Sequence, residues 1–185
     1  MSADTTQQVL FLRGINVGGR NRMPMAELHD LLSGLGFSNV QTYIQSGNAV
    51  FCGAGAPVDL SAQIADAAQA RFGFRPAAMV ILADTLARIV SDNPYRAEGQ
   101  IKRAAVQIGF LMQPAVSADT GRMAQIAAPD EAFALTDDAF YLHAPSGIGR
   151  SKLAANAERI LGVEMTMRNQ GVAEAVMALA RSDRC

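Results

Sequence analysis

Two successive stretches of this chain carry the same order of local signals, strand, helix, strand, strand, helix, strand. An order that repeats constrains the fold more than any single motif within it. In the first stretch, the apolar run Val9-Leu10-Phe11-Leu12 reads as a buried strand ending at Arg13-Gly14. Pro24 stands where a helix can begin, and Met25, Leu28, Leu31, Leu32 and Leu35 follow at helical spacing up to Gly36. Segments 40–44 and 49–52 are β-rich and flank Gln45-Ser46-Gly47-Asn48, a hairpin connection. A helix starting near Asp59 or Ser61 turns Ile64, Ala68 and Phe72 inward and stops at Gly73, and 77–82 is a fourth strand. A short helix capped by Asp84 then carries Leu86, Ile89 and Val90 and stops at Asp92-Asn93-Pro94.

After the polar segment 95–103, the order begins again. A strand at 106–112 precedes a helix at about 118–127 with Met123 and Ile126 inward. Strands at 132–135 and 140–143 join through Thr136-Asp137-Asp138. A helix from Ser151 bears Leu153, Ala157, Ile160 and Leu161, ends at Gly162, and is followed by a strand at 163–167. Val172, Val176 and Leu179 mark a last helix. The repeat is one of element order, not of residue identity. The fold expected is α+β, two fused ferredoxin-like βαββαβ units with antiparallel sheets, each followed by an extra helix. The domains expected are 1–94, a linker at 95–103, and 104–185.

Composition narrows the functions such a fold can serve. With 185 residues, 50% hydrophobic and 18% charged, the chain has apolar material for a sizeable core. A net charge of -1 disfavours binding nucleic acid through bulk positive field. Any anion must be recognised locally. Cys52, inside an apolar strand, and Cys185, at the last position, form no disulfide framework and lack zinc spacing, so a reducing compartment and two free thiols are expected, one shielded and one accessible. No apolar segment approaches the ~20 residues of a membrane helix, the first eight residues do not read as a signal peptide, and the expected setting is the cytoplasm. No metal or cofactor is implied.

Topology locates one candidate site. In a ferredoxin-like unit the first strand exits, and the hairpin between the second and third strands turns, at the same sheet end. Residues 13–22 should therefore lie beside 45–48. Together these loops offer Arg13, Asn16, Gly18, Gly19, Arg20, Asn21, Arg22, Ser46 and Asn48. Guanidinium forks and free backbone N–H groups both donate to phosphate or carboxylate, so the set suits an oxyanion, with the start of the next helix adding its positive end. Arg13 and Asn48 are expected to face each other across adjacent strands. The alternative is that the glycines serve turns and the arginines are merely solvated. Gly14-Ile15-Asn16-Val17-Gly18-Gly19 is neither a Walker loop nor a dinucleotide fingerprint. A second basic patch follows in the same way from Arg150, Ser151, Lys152, Arg168 and Asn169, although a glycine-rich loop feeding a Ser-capped helix needs no ligand.

At Leu12-Arg13-Gly14-Ile15-Asn16-Val17-Gly18-Gly19, Pro24-Met25 and Tyr43-Ile44-Gln45-Ser46-Gly47-Asn48, the chain resembles the bacterial domain of unknown function 1697 family. The resemblance continues at Asn93-Pro94, Gly149-Arg150-Ser151-Lys152-Leu153 and Thr166-Met167-Arg168-Asn169. It implies two fused ferredoxin-like parts and no assigned activity. The family usually has an aromatic after the Arg-Asn pair, where Gln170-Gly171 stands here. The family's signature falls on the two loops that topology brings together, which favours a ligand there.

The leading expectation is thus a module binding a small anionic ligand, a nucleotide or an RNA phosphate among them. An enzyme is the second class, but His29 and His143 have no predicted nucleophile or carboxylate partner, Cys52 reads as a buried strand residue, and Asp137-Asp138 as a turn. A base-stacking sheet is a third, disfavoured because Phe11 and Phe51 sit in runs apolar on both faces. An interaction protein, with its basic loops held in internal salt bridges, is the fourth.

Overall fold

A computed structural model describes residues 5–182 and Cys185. The chain divides by contacts into two units, Met1–Ala87 with Ala175–Cys185, and Arg88–Glu174.

The first unit contains β1 (Thr6–Arg13), α1 (Met25–Gly34), β2 (Ser38–Tyr43), β3 (Asn48–Gly53), α2 (Pro57–Phe72) and β4 (Ala77–Leu82), in the sheet order β2-β3-β1-β4. All pairings are antiparallel. β1 and β3 are central because their apolar runs can be buried on both faces; Val9, Leu10, Phe11 and Phe51 have no exposed surface. One face packs on α1 and α2, where Leu10, Leu12, Phe51 and Val80 meet Leu28, Leu32 and Ile64. Phe37 stacks on Phe51 with ring centroids 4.5 Å apart. β2 carries an irregularity between Ser38 and Gln41, and Asn39 within it has φ 50°.

The second unit repeats the order with β5 (Val106–Leu111), α5 (Thr120–Ile126), β6 (Ala132–Leu135), β7 (Ala139–His143), α6 (Lys152–Leu161) and β8 (Met165–Asn169), arranged β6-β7-β5-β8. Its core joins Leu111, Phe140, Leu142 and Met165 to Met123, Leu153 and Ile160. On the other face, the Tyr141 hydroxyl donates to the Ile89 carbonyl at 2.9 Å. The α+β reading with two ferredoxin-like units therefore holds, and α3 (Ala83–Ser91) and α7 (Gln170–Ser182) follow the two βαββαβ strings.

Three details differ from the sequence expectation. Segment 95–103, read from sequence as a polar linker with no element of its own named, holds α4 (Arg96–Ile101) and the start of a short 3₁₀ turn. It is polar because most of the helix is exposed; Gly99 is buried against Gln170, with no room there for a Cβ. The last strand lies at 165–169 because it continues through Thr166 and Arg168, polar residues that hide its pairing with β5. The cysteines are not free: Cys52 and Cys185 form a disulfide within the first unit, with Cα atoms 5.7 Å apart. Spacing could not show this, because a separation of 133 residues matches no local pattern.

Candidate anion-binding loops

Beyond β1 the chain forms a miniature hairpin. The Arg20 N–H donates to the Val17 carbonyl and the Asn16 N–H to the Asn21 carbonyl, both at 3.0 Å. Gly18 and Gly19 occupy the tip with φ 56° and 75°, the two positive values that a mirror-image two-residue turn requires. Asn21 closes the base, its side-chain amide donating to the Gly14 carbonyl at 2.7 Å.

Asn16 joins this hairpin to its neighbours. Its Nδ2 donates to the carbonyls of Met23 and Gln45, each at 2.9 Å, and its Oδ1 accepts from the Met23 N–H at 2.8 Å. The Leu12 N–H donates to the Gly47 carbonyl at 2.8 Å. Residues 13–22 and 45–48 thus lie side by side, as the topology requires. Gly47 has φ 74°, and a Cβ there would come 2.7 Å from both Leu12 Cβ and Ile15 Cδ1. The turn can sit this close to β1 only without a side chain at that position.

The residues named from sequence divide by role. Asn48 is wholly buried, and its amide donates to the Tyr43 carbonyl at 3.0 Å and the Ser46 hydroxyl at 2.9 Å. Asn16, Asn21 and Asn48 therefore direct these bonds into the loops themselves. Asn48 pairs with Phe11 in the ladder, so Arg13 stands two residues beyond it and not opposite; Arg13 is half-buried. The hairpin turns earlier than the face-to-face pairing of Arg13 and Asn48 demands. Arg20, Arg22, Gly18 and Gly19 are exposed, and neither Arg20 nor Arg22 has an acidic partner among the described residues. Pro24 precedes α1 in extended conformation and makes no side-chain cap.

Two exposed apolar residues on these loops escaped the sequence reading. Val17 is 67% exposed and Ile44 50%. Ile44 also has φ 48°, a left-handed conformation that costs a β-branched residue about 1–3 kcal/mol. Propensity could not find it, because a β-former beside a strand reads as more strand.

The second patch is less uniform. Ser151 is the N-cap of α6, accepting from the Ala154 N–H at 2.9 Å, and Asn169 accepts from the Val172 N–H at the start of α7. Arg150 and Lys152 are exposed. Arg168 is set apart: its guanidinium donates to the Met167 carbonyl at 3.0 Å, and burial pulls its pKa down to about 10. Two of the five residues are caps, which accounts for them without a ligand.

Elsewhere, His143 stacks on Tyr95 with centroids 5.9 Å apart, and burial followed by the Glu98 charge pushes the Tyr95 phenol up. His29 is exposed beside Asp30. Asp138 is ion-paired with Arg88 at 2.7 Å. Gln170, which stands where the resembled family usually has an aromatic, is fully buried: its Oε1 accepts from Asn93, and its Nε2 donates to the Arg96 carbonyl and to Glu174. An amide network takes the place of stacking there. No group of acidic, His and Cys side chains suited to a metal occurs among the described residues, and none of their helices is long and apolar enough to cross a membrane.

Comparison with known proteins adds kinship without a reaction. A conserved bacterial protein from Streptococcus pneumoniae has a similar structure, with a TM-score of 0.66 and 20% identity over 96% of this chain and 99% of that one. At that identity the likeness is one of fold. No curated protein matches the chain. The family model that matches covers residues 5–141, which includes both loops and stops short of the motifs at 149–153 and 166–169. That span is most of the sequence, and the chain belongs to the family described as "Protein of unknown function (DUF1697)".

Proposed function

We propose that the hairpin tip at 17–22 and the adjoining turn at 45–48 bind a small phosphate- or carboxylate-bearing ligand. Arg20 and Arg22 supply the charge, and the Gly18 and Gly19 N–H groups donate to the oxygens. Asn16, Asn21 and Asn48 hold the loops in place, Ser46 is committed to Asn48, and Arg13 stands at the base. The observation that carries this reading is the exposure of Arg20 and Arg22 without an acidic partner among the described residues, on a hairpin fixed by its own hydrogen bonds. Internally neutralised loops were the mark of an interaction protein, and these two arginines lack it. Exposed Val17 and Ile44 favour an organic phosphate, a nucleotide or an RNA end, over inorganic phosphate. The proposed setting is the cytoplasm, where such molecules are at hand.

Calorimetry with inorganic phosphate, nucleoside mono- and triphosphates and a short RNA tests it, on the wild type and on Arg20→Ala and Arg22→Ala. Each substitution should weaken binding by about three- to tenfold, the range between an exposed and a well-aligned charged hydrogen bond, with Tm nearly unchanged. Equal affinity in all three proteins, or no binding of any of these ligands, overturns it.

A further inference from the structure

Cys185 is exposed, whereas its partner Cys52 is 2% exposed on β3. A groove of about 420 Å³ reaches the disulfide on the Cys185 side, lined by Thr6, Gln7, Asp84, Met177, Arg181 and Cys185 among others. An external thiolate entering this groove meets the exposed Cys185, whereas Cys52 is shielded within β3.

A second feature marks Cys52 as the sulfur that leaves. The irregularity in β2 places Asn39 in a left-handed conformation, φ 50°, and its side-chain Nδ2 donates to Cys52 Sγ at 3.7 Å. Bulges commonly re-aim one side chain in this way, and asparagine tolerates the conformation. An amide N–H directed at sulfur favours the thiolate over the neutral thiol, and a better leaving thiolate departs faster.

We propose that Cys52–Cys185 is a thiol-responsive clasp, opened by small-molecule thiols through Cys185. The thiol first loses its proton to solvent. Its thiolate forms a bond to Cys185 Sγ as the Cys52–Cys185 bond breaks, and the electron pair leaves on Cys52 Sγ, held beside Asn39; the Cys52 thiolate then takes a proton from water. A second thiolate attacks the small molecule's sulfur in the mixed disulfide, so that Cys185 leaves as a thiolate and takes a proton from water while the two small thiols are joined as their disulfide. Two electrons pass from the small thiols to the protein. Opening releases Cys185 from Cys52 on β3.

The test is timed quenching of the air-oxidised full chain with reduced glutathione, followed by peptide mass spectrometry. The mixed disulfide should form on Cys185 at least tenfold more often than on Cys52. Asn39→Asp, which keeps shape but replaces the donor with an anion, should slow opening by roughly tenfold, and Asn39→Gly, which relieves the backbone, should slow it as well. Full reduction and Cys185→Ser should each lower Tm by on the order of 10 °C, because the bridge closes a loop of 133 residues. Glutathione on Cys52, unchanged rates in both Asn39 variants, or free thiols in the oxidised protein would overturn the proposal.

Discussion

Replacing Gly47 by alanine puts a methyl group where the structure has none to spare. The new Cβ would lie 2.7 Å from Leu12 Cβ and 2.7 Å from Ile15 Cδ1, and the residue would retain φ 74°. The left-handed backbone costs a non-glycine residue about 1–2 kcal/mol. Forcing a methyl into packed atoms adds about 1–3 kcal/mol, and the stiffer unfolded chain returns about 0.4–1 kcal/mol. The expected loss is about 2–4 kcal/mol, which for a chain of this length lowers Tm by roughly 5–15 °C. Gly18→Ala is the control, since φ is 56° there and nothing lies within 4 Å of the added Cβ. It should cost only the backbone strain, about 1 kcal/mol. Thermal unfolding of both variants by circular dichroism separates packing from conformation. If Gly47→Ala loses no more than Gly18→Ala, the turn is not locked against β1 and the reasoning fails.

Two further outcomes follow from buried polar groups. Ser61 is 6% exposed; its hydroxyl donates to the Pro57 carbonyl and accepts from the Val80 N–H on the open edge of β4, so Ser61→Ala should cost about 1–3 kcal/mol, read as a lower Tm. Tyr141 is pushed up to about 12, chiefly by burial. Its folded value is above its unfolded one, so its contribution is complete below about pH 10 and is lost as pH rises toward 12. Tyr141→Phe should melt lower at neutral pH, having orphaned the Ile89 carbonyl, yet lose less between pH 10 and 12. An identical alkaline slope in both proteins would contradict the burial of that phenol.

The fold was legible because its elements are apolar strings with punctuation. Val9 to Leu12 and the helical spacing of Leu28, Leu31 and Leu32 leave few alternatives, and the repeated order fixes which loops are neighbours. Adjacency of 13–22 and 45–48 followed from topology alone. The roles within the loops did not, because an asparagine that binds a ligand and one that ties a turn are the same residue type. Only the bonds of Asn16 to Met23 and Gln45, and of Asn48 to Tyr43, distinguish them. The disulfide was hidden for a different reason: two cysteines 133 positions apart meet only through the path of the whole chain.

The tip of the self-locked hairpin is proposed to receive an anion. Amide chemical shifts of ¹⁵N-labelled protein, followed through a titration with a nucleoside monophosphate, test it most directly. The largest changes should fall on the Gly18 and Gly19 backbone N–H groups and the Arg20 and Arg22 side-chain Nε–H groups, with the Arg20 backbone N–H and the Asn16 and Asn48 side-chain amides, already committed inside the loops, moving little. Saturable binding whose shifts lie away from residues 17–22, or shifts led by the Asn16 and Asn48 amides, would contradict the account.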